Sequence, residues 1–564
     1  MTRNHPAEPV MRTGEKWLTC NGRQLKKLAL AGLNSLENNH PKVNALNVFP
    51  VPDGDTGTNM LLTMRAAYKR IRNNEDTHVG RVAQEISQGA LMGARGNSGV
   101  ILSQILRGLA ASLKDKQQFD ANDLAAAFQE ASDTAYKGVM RPVEGTILTV
   151  IREAAEEAGN AVGKSNDLRF VLERVLERCQ QVLAQTPEML PVLKQAGVVD
   201  AGGQGLVYLL EGMLHRVYGK VLESQLVIED DLPAQAKAAP EEGIENPYDV
   251  QFILLGDDMD VLKVRTDIDA MGDSTVIVGD EKMIKVHVHV KDPGEPISYG
   301  IRLGRITDVV VENMQLQMEE IISQGGTTAV NEEPSQLGMP VVSLEPGQVG
   351  VVAVAAGKGL ADIFRSLGAA GIVNGGQSNN PSTEEIFEAV QDVPTNKVVI
   401  LPNNKNIILA AEAARDLSTK EVVVIPSRTF PQGVSALLSL NPNGSLEDVS
   451  ESMKVACGHV TSGEITLATR SVDLNGVAVH EGEYIGIADG RLCASGQEID
   501  GVLPLVLEAM SMDDRELLSI YYGADVDQTA AENLAEQIGS LYPDLEVEVL
   551  FGGQAIYHYI LGAE

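Results

Sequence analysis

Two aspartates separated by one glycine are the residues of this sequence best suited to chemistry. Asp53 and Asp55 lie in the segment NVFPVPDGDTGTNM, residues 47–60. Its prolines exclude a helix there and its glycines permit tight turns, so one turn can direct both carboxylates to one point. Adjacent carboxylates repel each other unless a cation or proton lies between them, and Mg²⁺ prefers such oxygen ligands. The alternative is an acidic turn that only caps a helix.

The residues after the aspartates are suited to binding an anion. Thr56, Thr58 and Asn59 supply hydroxyl and amide groups. A helix that begins near Thr58 would point its free backbone N–H groups into the same space, which favours a phosphate. The segment therefore predicts a cation and an anion bound side by side.

Three further glycine-containing turns separate helical stretches. They are GARGNSG at 93–99, RPVEGT at 141–146 and GVVDAGGQG at 197–205. Small residues let the backbone approach a ligand, although the first turn alone is a weak phosphate-loop signal with an ordinary turn as its alternative. No Walker A motif occurs in the chain. Four such loops predict one shared site at the end of a helical bundle.

The periodicity of apolar residues divides the chain into three parts. Apolar residues recur at helical spacing in the first part, as at Leu61, Met64, Tyr68 and Ile71. The middle part has short strand-like runs. In the third part strands and helices alternate, which predicts a mostly parallel sheet covered on both faces. The predicted strands are 251–255, 274–278, 284–290, 308–311, 349–355, 371–373, 397–401 and 421–425.

Two polar stretches, 230–243 and 323–340, are rich in Pro, Gly, Glu and Ala and carry no apolar period. Such composition is typical of linkers. The predicted domains are therefore residues 1–229, 244–322 and 341–564.

The composition restricts the partners and the compartment. Among 564 residues, 45 Lys and Arg face 78 Asp and Glu, a net charge of −33. This charge repels phosphate backbones, so we expect no nucleic-acid binding across the whole surface. A local basic pocket, or a metal that bridges to phosphate, stays open as an alternative. No apolar run reaches 18 residues and no secretory signal is present, so we expect neither a transmembrane segment nor secretion. Four scattered cysteines (Cys20, Cys179, Cys457 and Cys493) favour a reducing cytoplasm.

The four loop sequences closely resemble the nucleotide-binding domain of the dihydroxyacetone kinase L-subunit type, and the whole layout resembles the kinase subunit of bacterial fatty acid kinase. The resemblance implies an all-α helical-barrel kinase domain, a small α+β middle domain and a carrier-like α/β C-terminal domain with a mostly parallel sheet. It implies ATP-dependent phosphorylation of a fatty acid carboxylate that a fatty-acid-binding carrier protein presents, giving an acyl-phosphate. It also implies a homodimer.

The resemblance assigns roles to individual residues. Asp53 and Asp55 are the implied catalytic residues and hold two Mg²⁺ ions. Asn47 stands near the place of a further aspartate in the related kinases, so an amide oxygen replaces a carboxylate there. Arg141 stands where many relatives carry lysine, which keeps the charge but changes the donor geometry. The implied ATP contacts are Thr56, Thr58, Asn59, Gly96, Asn97, Ser98, Arg141, Thr146, Asp200 and Gly202.

A second metal site is a hypothesis for the middle part. His287 and His289 are two apart on a predicted strand and therefore share a face. Histidine is a common zinc ligand, but paired histidines on a polar strand face are the alternative. The related kinases complete a zinc site with a cysteine after the first-strand tyrosine. Here Asp249 follows Tyr248, so a zinc site with Asp249 and a weaker or absent site both stay open.

Three loops of the third part follow predicted strands. They are NGGQSNNPST at 374–383, LPNNKN at 401–406 and PSRTFPQG at 426–433. In an open α/β sheet, ligands bind at the carboxyl ends of the strands, but the same residue types also build ordinary turns. The resemblance implies that this part helps to engage the carrier or mediates self-association, and not that it binds fatty acid itself.

The chemistry of the acceptor separates the remaining alternatives. A fatty acid carboxylate is ionised at pH 7, so its phosphorylation needs no general base. A hydroxyl acceptor normally does, and none of the four loops contains a histidine. A small hydroxy-ketone kinase is therefore the first alternative, and a non-enzymatic, nucleotide-sensing regulator is the second.

Overall fold

The computed structural model describes residues 16–46, 54–139, 141–220, 248–256, 259–279, 283–313, 344–345, 347–377, 379–474, 476–512 and 515–564. These residues form two compact units. One unit combines the described residues up to 220 with those from 344 onward, and the other holds residues 248–313. Asn47, Asp53 and the two predicted linkers lie outside the described residues.

The N-terminal part of the first unit is helical, as predicted. Apolar side chains repeat along each helix at the expected spacing; on α2 they include the buried Met60, Met64 and Ile71. A short β1–β2 ladder, Cys20–Asn21 with Gln118–Phe119, joins the segment before α1 to the connection between α4 and α5. The helices are α1 (Gly22–Asn44), α2 (Thr56–Ile71), α3 (Val79–Met92), α4 (Gly96–Leu113), α5 (Ala121–Lys137), α6 (Ile147–Val162), α7 (Leu168–Met189), α8 (Pro191–Ala196) and α9 (Ala201–Val217).

Seven consecutive helices, α1 to α7, pack side by side, and α9 packs against both α7 and α1. Because short loops join consecutive helices, neighbours run antiparallel around this closed ring. The starts of α2, α4, α6 and α9 therefore lie at one end of the ring. Among the described residues, no helix is both long and apolar enough to cross a membrane.

The second unit is a four-stranded sheet with two helices. Its strands pair antiparallel in the order β4–β5–β3–β6, and all four predicted strands are confirmed. Val250, Val286 and Val288 build its core, and they alternate along their strands with polar positions. The elements are β3 (Tyr248–Leu255), α10 (Val261–Asp269), β4 (Gly272–Gly279), β5 (Met283–Val290), α11 (Gly294–Leu303) and β6 (Arg305–Asn313).

The C-terminal part of the first unit begins with a four-stranded sheet in the order β10–β9–β7–β8, and all of its pairs are parallel. The prediction of a parallel sheet is confirmed here, and so is the capping box of Ser382 with Glu385. The elements are β7 (Val349–Ala355), α12 (Lys358–Ser366), β8 (Gly371–Asn374), α13 (Thr383–Asp392), β9 (Lys397–Leu401), α14 (Ile408–Leu417), β10 (Glu421–Val424), α15 (Phe430–Leu438) and α16 (Leu446–His459).

The chain then forms a second sheet, in the order β15–β14–β11–β18–β16–β17, in which only the β16–β17 pair is parallel. The prediction of a mostly parallel sheet is wrong for this half. Asp489 (φ 45°) and Gly490 (φ 76°) make the two-residue turn of the β14–β15 hairpin, and so tight a turn forces antiparallel pairing. The elements are β11 (Thr461–Leu467), β12 (Val472–Leu474), β13 (Val477–Val479), β14 (Tyr484–Ala488), β15 (Arg491–Gly496), α17 (Ile499–Ala509), β16 (Leu517–Tyr522), α18 (Gln528–Leu541), β17 (Glu546–Phe551) and β18 (Tyr559–Ala563).

Candidate functional site

The start of α2 carries Asp55 and is held in place by the end of α1. Asn44 Oδ1 accepts hydrogen bonds from the backbone N–H groups of Gly57 (2.8 Å) and Thr58 (3.2 Å), and Asn44 Nδ2 donates to the Thr58 hydroxyl (3.0 Å). The Asp55 side chain makes no capping bond to its own helix. Asn44 therefore caps the start of α2, and the Asp55 carboxylate takes no part in that cap.

The start of α4 approaches α2 closely because glycines face it. Gly96 has φ +56°, and a Cβ there would lie 2.5 Å from Asn59 Nδ2. At Gly99 a Cβ would lie 2.4 Å from Thr63 Oγ1. Asn59 is only 5% exposed. Any residue larger than glycine would push apart the two helix starts that carry Asn59, Asn97 and Ser98.

The starts of α6 and α9 meet in the same way. Thr146 caps α6 by accepting from the N–H of Leu148 (3.3 Å), and Asp200 caps α9 by accepting from the N–H of Gly203 (2.7 Å). A Cβ on Gly202 would lie 3.2 Å from the Cβ of Ile147. Thr146, Asp200 and Gly202 are thus brought together.

A close approach of α9 to α2 joins the pair of helix starts α2 and α4 to the pair α6 and α9. A Cβ on Gly205 of α9 would lie 2.5 Å from the sulfur of Met60 on α2. The described parts of the four glycine-containing loops therefore line one end of the helical ring. Thr56 and Ser98 are half-buried there, whereas Arg141 is exposed in the loop before α6.

The C-terminal part contributes side chains that the sequence pattern did not assign to this site. Asn380, in the loop between β8 and α13, donates through Nδ2 to Asp55 Oδ2. Arg95 donates to the backbone oxygen of Asn380 (2.8 Å) and pairs with Glu385 (3.0 Å). The N–H of Thr383 donates to the backbone oxygen of Ala94 (3.0 Å).

Two buried amide oxygens at this junction have no partner among the described residues. They are Oδ1 of Asn97 and Oδ1 of Asn380, and Asn380 is only 2% exposed. A buried acceptor without a donor costs free energy, so such atoms point to a ligand or ion. Together with the Asp55 carboxylate they are the oxygen ligands that Mg²⁺ prefers. The residues present therefore fit a magnesium ion.

The backbone register brings the three zinc candidates of the second unit to adjacent positions. His289 lies opposite Asp249 on β3, and His287 lies opposite Gln251. Among the side chains that the structure describes, no group of three His, Cys, Asp or Glu could hold a metal ion. The side chains of Asp249, His287 and His289 lie outside that set, so zinc gains no support and stays a prediction.

The buried carboxyl of Asp200 gives the stability of the chain a predicted pH dependence. Burial raises its pKa to about 6 from an ordinary value of 3.8, against the opposing effect of N–H donors from Gly203 and Ile147. Between these two values the folded chain keeps a proton that the unfolded chain has released. The stability contribution of Asp200 therefore falls as the pH rises from 4 to 6 and is constant above that.

We expect Asp200→Asn to remove this loss of stability between pH 4 and 6, because asparagine has no carboxyl proton to release. The helix cap should remain, since asparagine caps a helix as well as aspartate does. The variant should exceed the parent in unfolding free energy by on the order of 2 kcal/mol at pH 7.5, and by much less at pH 4.5. Urea denaturation at both pH values measures this difference. Asp527→Asn, at the exposed cap of α18, is the matched control. An equal difference at the two pH values would contradict the assignment.

Sequence reasoning missed Asn44, Arg95 and Asn380. Asn44 sits near the end of an ordinary helix, so no local pattern marks it. Arg95 lies inside the recognised GARGNSG turn, but its partner is 285 residues away. The asparagine-rich loop 374–383 follows a predicted strand, and that position was the available signal for Asn380.

Comparison with known proteins follows the same division of the chain. Three family models match: the DAK2 domain at residues 50–215, the FakA-like middle domain of fatty acid kinases at 245–321, and the FakA-like C-terminal domain at 350–564. Protein YloV of Bacillus subtilis is 39% identical over 97% of this chain and 99% of its own length. An uncharacterized protein of Staphylococcus haemolyticus is 37% identical over 96% of this chain and 99% of its own.

Solved structures match separate parts of the chain. A DegV family protein from Thermus thermophilus, described as fatty acid binding, aligns at a TM-score of 0.28 and 14% identity, covering 38% of this chain and all of its own. The dihydroxyacetone kinase of C. freundii in complex with AMP-PNP and Mg²⁺ aligns at 0.28 and 16%, covering 38% of this chain and 37% of its own. Similarity at this level does not bear on the ligands of the present chain.

Proposed function

This chain belongs to the FakA-like family of fatty acid kinases, and from that premise we propose that it transfers the γ-phosphoryl group of ATP to a fatty acid carboxylate. The acid is presented by a separate fatty-acid-binding carrier protein, and the product is an acyl-phosphate. The active site is the end of the helical ring where α2, α4, α6 and α9 begin.

The observation that carries this proposal is the meeting of helix starts around one carboxylate. The first N–H groups of α4 lack partners in their own helix and carry partial positive charge, which attracts phosphate oxygens. On α2, Asn44 already accepts the N–H groups of Gly57 and Thr58, so this helix contributes its dipole and its side chains. Gly96 and Gly99 let these two starts come together. Thr56, Thr58, Asn59, Asn97 and Ser98 lie in the same first turns, where their polar groups can reach the triphosphate.

The proposed site needs a divalent cation, because ATP, the aspartate carboxylates and the acceptor carboxylate all carry negative charge. Asp55 would hold it together with Asp53, with Asn47 near them. When bound, Mg²⁺ neutralises phosphate charge and aligns the γ-phosphoryl group. Asn380 orients the Asp55 carboxylate from the other side. We propose that four further residues contact the nucleotide at the edge of the site: Thr146, Asp200, Gly202 and Arg141.

The ionisation state of the acceptor favours a carboxylate over a hydroxyl group. A carboxylate reaches the site already ionised, so the chain has no proton to remove and needs only to hold two anions in line. The absence of histidine from the four loops supports a carboxylate over a hydroxyl acceptor.

The test is a transfer assay with labelled ATP and Mg²⁺, in which the acceptor is either carrier protein loaded with fatty acid or, in a parallel reaction, dihydroxyacetone. We expect a hydroxylamine-sensitive acyl-phosphate that requires every component. Label on dihydroxyacetone, with none on the acid, would favour the hydroxy-ketone kinase. Nucleotide binding without transfer to either acceptor would favour the sensing regulator.

Asn380 allows a sharper test of the cation site. Asn380→Ala removes the bond that orients Asp55, and a hydrogen bond to a charged group contributes enough that we expect Mn²⁺–ATP to bind about tenfold more weakly. Isothermal titration with Mn²⁺–ATP measures this loss.

Glu385→Gln is the matched control, because glutamine keeps the capping bond to Ser382 and removes only the partly exposed ion pair with Arg95. The control should bind nearly as the parent does. Equal weakening in both variants would mean that Asn380 acts only by attaching the C-terminal part.

A further inference from the structure

Noncovalent contacts beside the proposed active site hold the N-terminal and C-terminal parts of the first unit together. The described residues of the two parts end at 220 and resume at 344, and the second unit lies between them in the sequence. Segment 379–385 of the C-terminal part contacts Ala94 and Arg95, and Asn406 accepts from Asn97 Nδ2 (3.4 Å). These contacts form the junction between the two parts.

The junction contributes little stability of its own. The Arg95–Glu385 ion pair (3.0 Å) is partly exposed on both sides, and such pairs stabilise only slightly. Two buried amide oxygens, Oδ1 of Asn97 and Oδ1 of Asn380, have no donor among the described residues. Burial of an acceptor without a partner opposes docking, so the junction needs a group that satisfies these oxygens.

Packing from behind does not press this segment onto the helical ring. Gln377 and Asn379 line a cavity of about 730 Å³ in the C-terminal part, and the walls of this cavity come from both of its sheets. Empty space supplies no contacts on that side. The position of Asn380 therefore depends on the contacts that it makes at the junction.

The amide of Asn380 lies between Asp55 and the start of α4. Its Nδ2 donates to Asp55 Oδ2, and a Cβ on Gly96 would lie 3.3 Å from the same nitrogen. Arg95 donates to the backbone oxygen of Asn380 (2.8 Å), and Asn380 is only 2% exposed. The amide is therefore held at the carboxylate, with its donor side toward it.

An amide can serve this position in two orientations. A half-turn about the Cβ–Cγ bond exchanges the nitrogen and the oxygen without changing the shape of the side chain, and torsions of this kind are roughly twofold. The donor side suits a carboxylate that has no cation. A cation at Asp55 would repel that side and attract the oxygen, which is a ligand that Mg²⁺ and Mn²⁺ accept.

We propose that the cation at Asp55 is also bound by the amide oxygen of Asn380, so that it fastens the C-terminal part to the helical ring. The inference rests on the proposed function, because that function places the cation at Asp55. The same bond satisfies the buried Asn380 oxygen. Binding of Mg²⁺–ATP and docking of the C-terminal part then strengthen each other by an equal factor, as thermodynamic linkage requires.

The amide hydrogen of Thr383 reports on the junction directly. Its N–H donates to the backbone oxygen of Ala94 (3.0 Å), and as the first residue of α13 it has no acceptor within its own helix. Its exchange with solvent therefore requires the junction to open. The N–H of Glu385 donates to Ser382 Oγ (3.1 Å) inside the C-terminal part and serves as the internal reference.

The test is hydrogen exchange of the full chain, resolved to single amides by mass spectrometry with electron-transfer fragmentation. The samples contain no ligand, Mn²⁺ alone, or Mg²⁺ with AMP-PNP, and titration measures the binding of each. We expect the cation, alone or with the nucleotide, to slow exchange at Thr383 about tenfold, a usual size for coupling between sites, and to leave Glu385 unchanged.

Three variants separate cation binding by Asn380 from simple attachment. Asn380→Ala should remove the response of Thr383 to the cation. Asn380→Asp should speed exchange without a cation, because two carboxylates then repel each other, and slow it with one. Asn406→Ala, the matched control at the same junction, should speed exchange by the same factor in every sample. A full response in Asn380→Ala, or its loss in Asn406→Ala, would overturn the role of the Asn380 amide.

The outcomes distinguish this inference from the proposed function. A bound cation and nucleotide that leave Thr383 exchange unchanged would overturn the inference while the proposed function stands. If Mn²⁺ binds and slows Thr383 exchange but the nucleotide does not bind, the inference stands and the proposed function fails. If neither binds, both are wrong.

Discussion

Replacing Asp55 with asparagine is expected to lower phosphoryl transfer at least about a thousandfold, because electrostatic stabilisation of a transferring phosphoryl group is the largest single contribution to its catalysis. Asparagine keeps the size and the hydrogen-bonding oxygen but loses the charge that holds the cation. The fold should tolerate the change, since Asn44 caps α2 and the Asp55 side chain does not.

The measurement combines the acyl-phosphate assay with thermal unfolding in the presence and absence of Mg²⁺–ATP. Asp55→Asn should unfold at the parent's temperature without ligand and lose the stabilisation that ligand provides. Asp120→Asn, at the cap of α5 on the opposite end of the ring, should leave both readouts unchanged. A variant at Asp55 that keeps more than about a tenth of the parent's turnover would contradict the assignment of its carboxylate to the cation.

Asp53 is predicted from the sequence to act with Asp55. Asp53→Asn should cause a loss of similar size if two carboxylates share the cation, and the double variant should lose little more than either single one. Residues that act as a unit are not additive in this way.

Gly96→Ala is expected to damage both stability and activity. The left-handed backbone at Gly96 (φ +56°) costs a residue with a Cβ about 1 kcal/mol or more, and the added carbon would lie 2.5 Å from Asn59 Nδ2. The start of α4 must then move away from α2. Because a displacement of about 1 Å in a phosphate-binding loop can cost a hundredfold in rate, activity should fall about that much.

The control is Gly159→Ala, in the last turn of α6, where a Cβ meets nothing within 4 Å. This exchange should stabilise the chain by up to about 1 kcal/mol and leave transfer unchanged. Chemical denaturation and the transfer assay report the two effects separately. Normal transfer by Gly96→Ala would mean that the close approach of α2 and α4 has no part in binding phosphate.

Much of the secondary structure follows from local sequence. Strands such as Val349–Ala355 and Lys397–Leu401 are continuous apolar runs, so burial on both faces identifies them without any tertiary information. The capping box of Ser382 and Glu385 is equally local. The predicted pairing of the second C-terminal sheet is wrong because strand direction depends on which strands meet, although the Asp489–Gly490 turn is a local signal of a hairpin.

The amino-acid sequence by itself predicted which loops could bind a charged ligand, because the roles proposed for Asp55, Gly96, Asp200 and Gly202 depend on side-chain chemistry and on backbone freedom within a few residues. It also determined the helical character of the first part and the parallel character of the sheet that begins at Val349. Only the tertiary structure decided that Asn44 holds the start of α2 and that Asn380 reaches Asp55 across 325 residues of chain. The C-terminal cavity belongs to the same category, since its polar and apolar walls come from two different sheets. Hydrogen bonds and cavities between distant segments depend on how those segments pack, and no periodic pattern in the sequence predicts that packing.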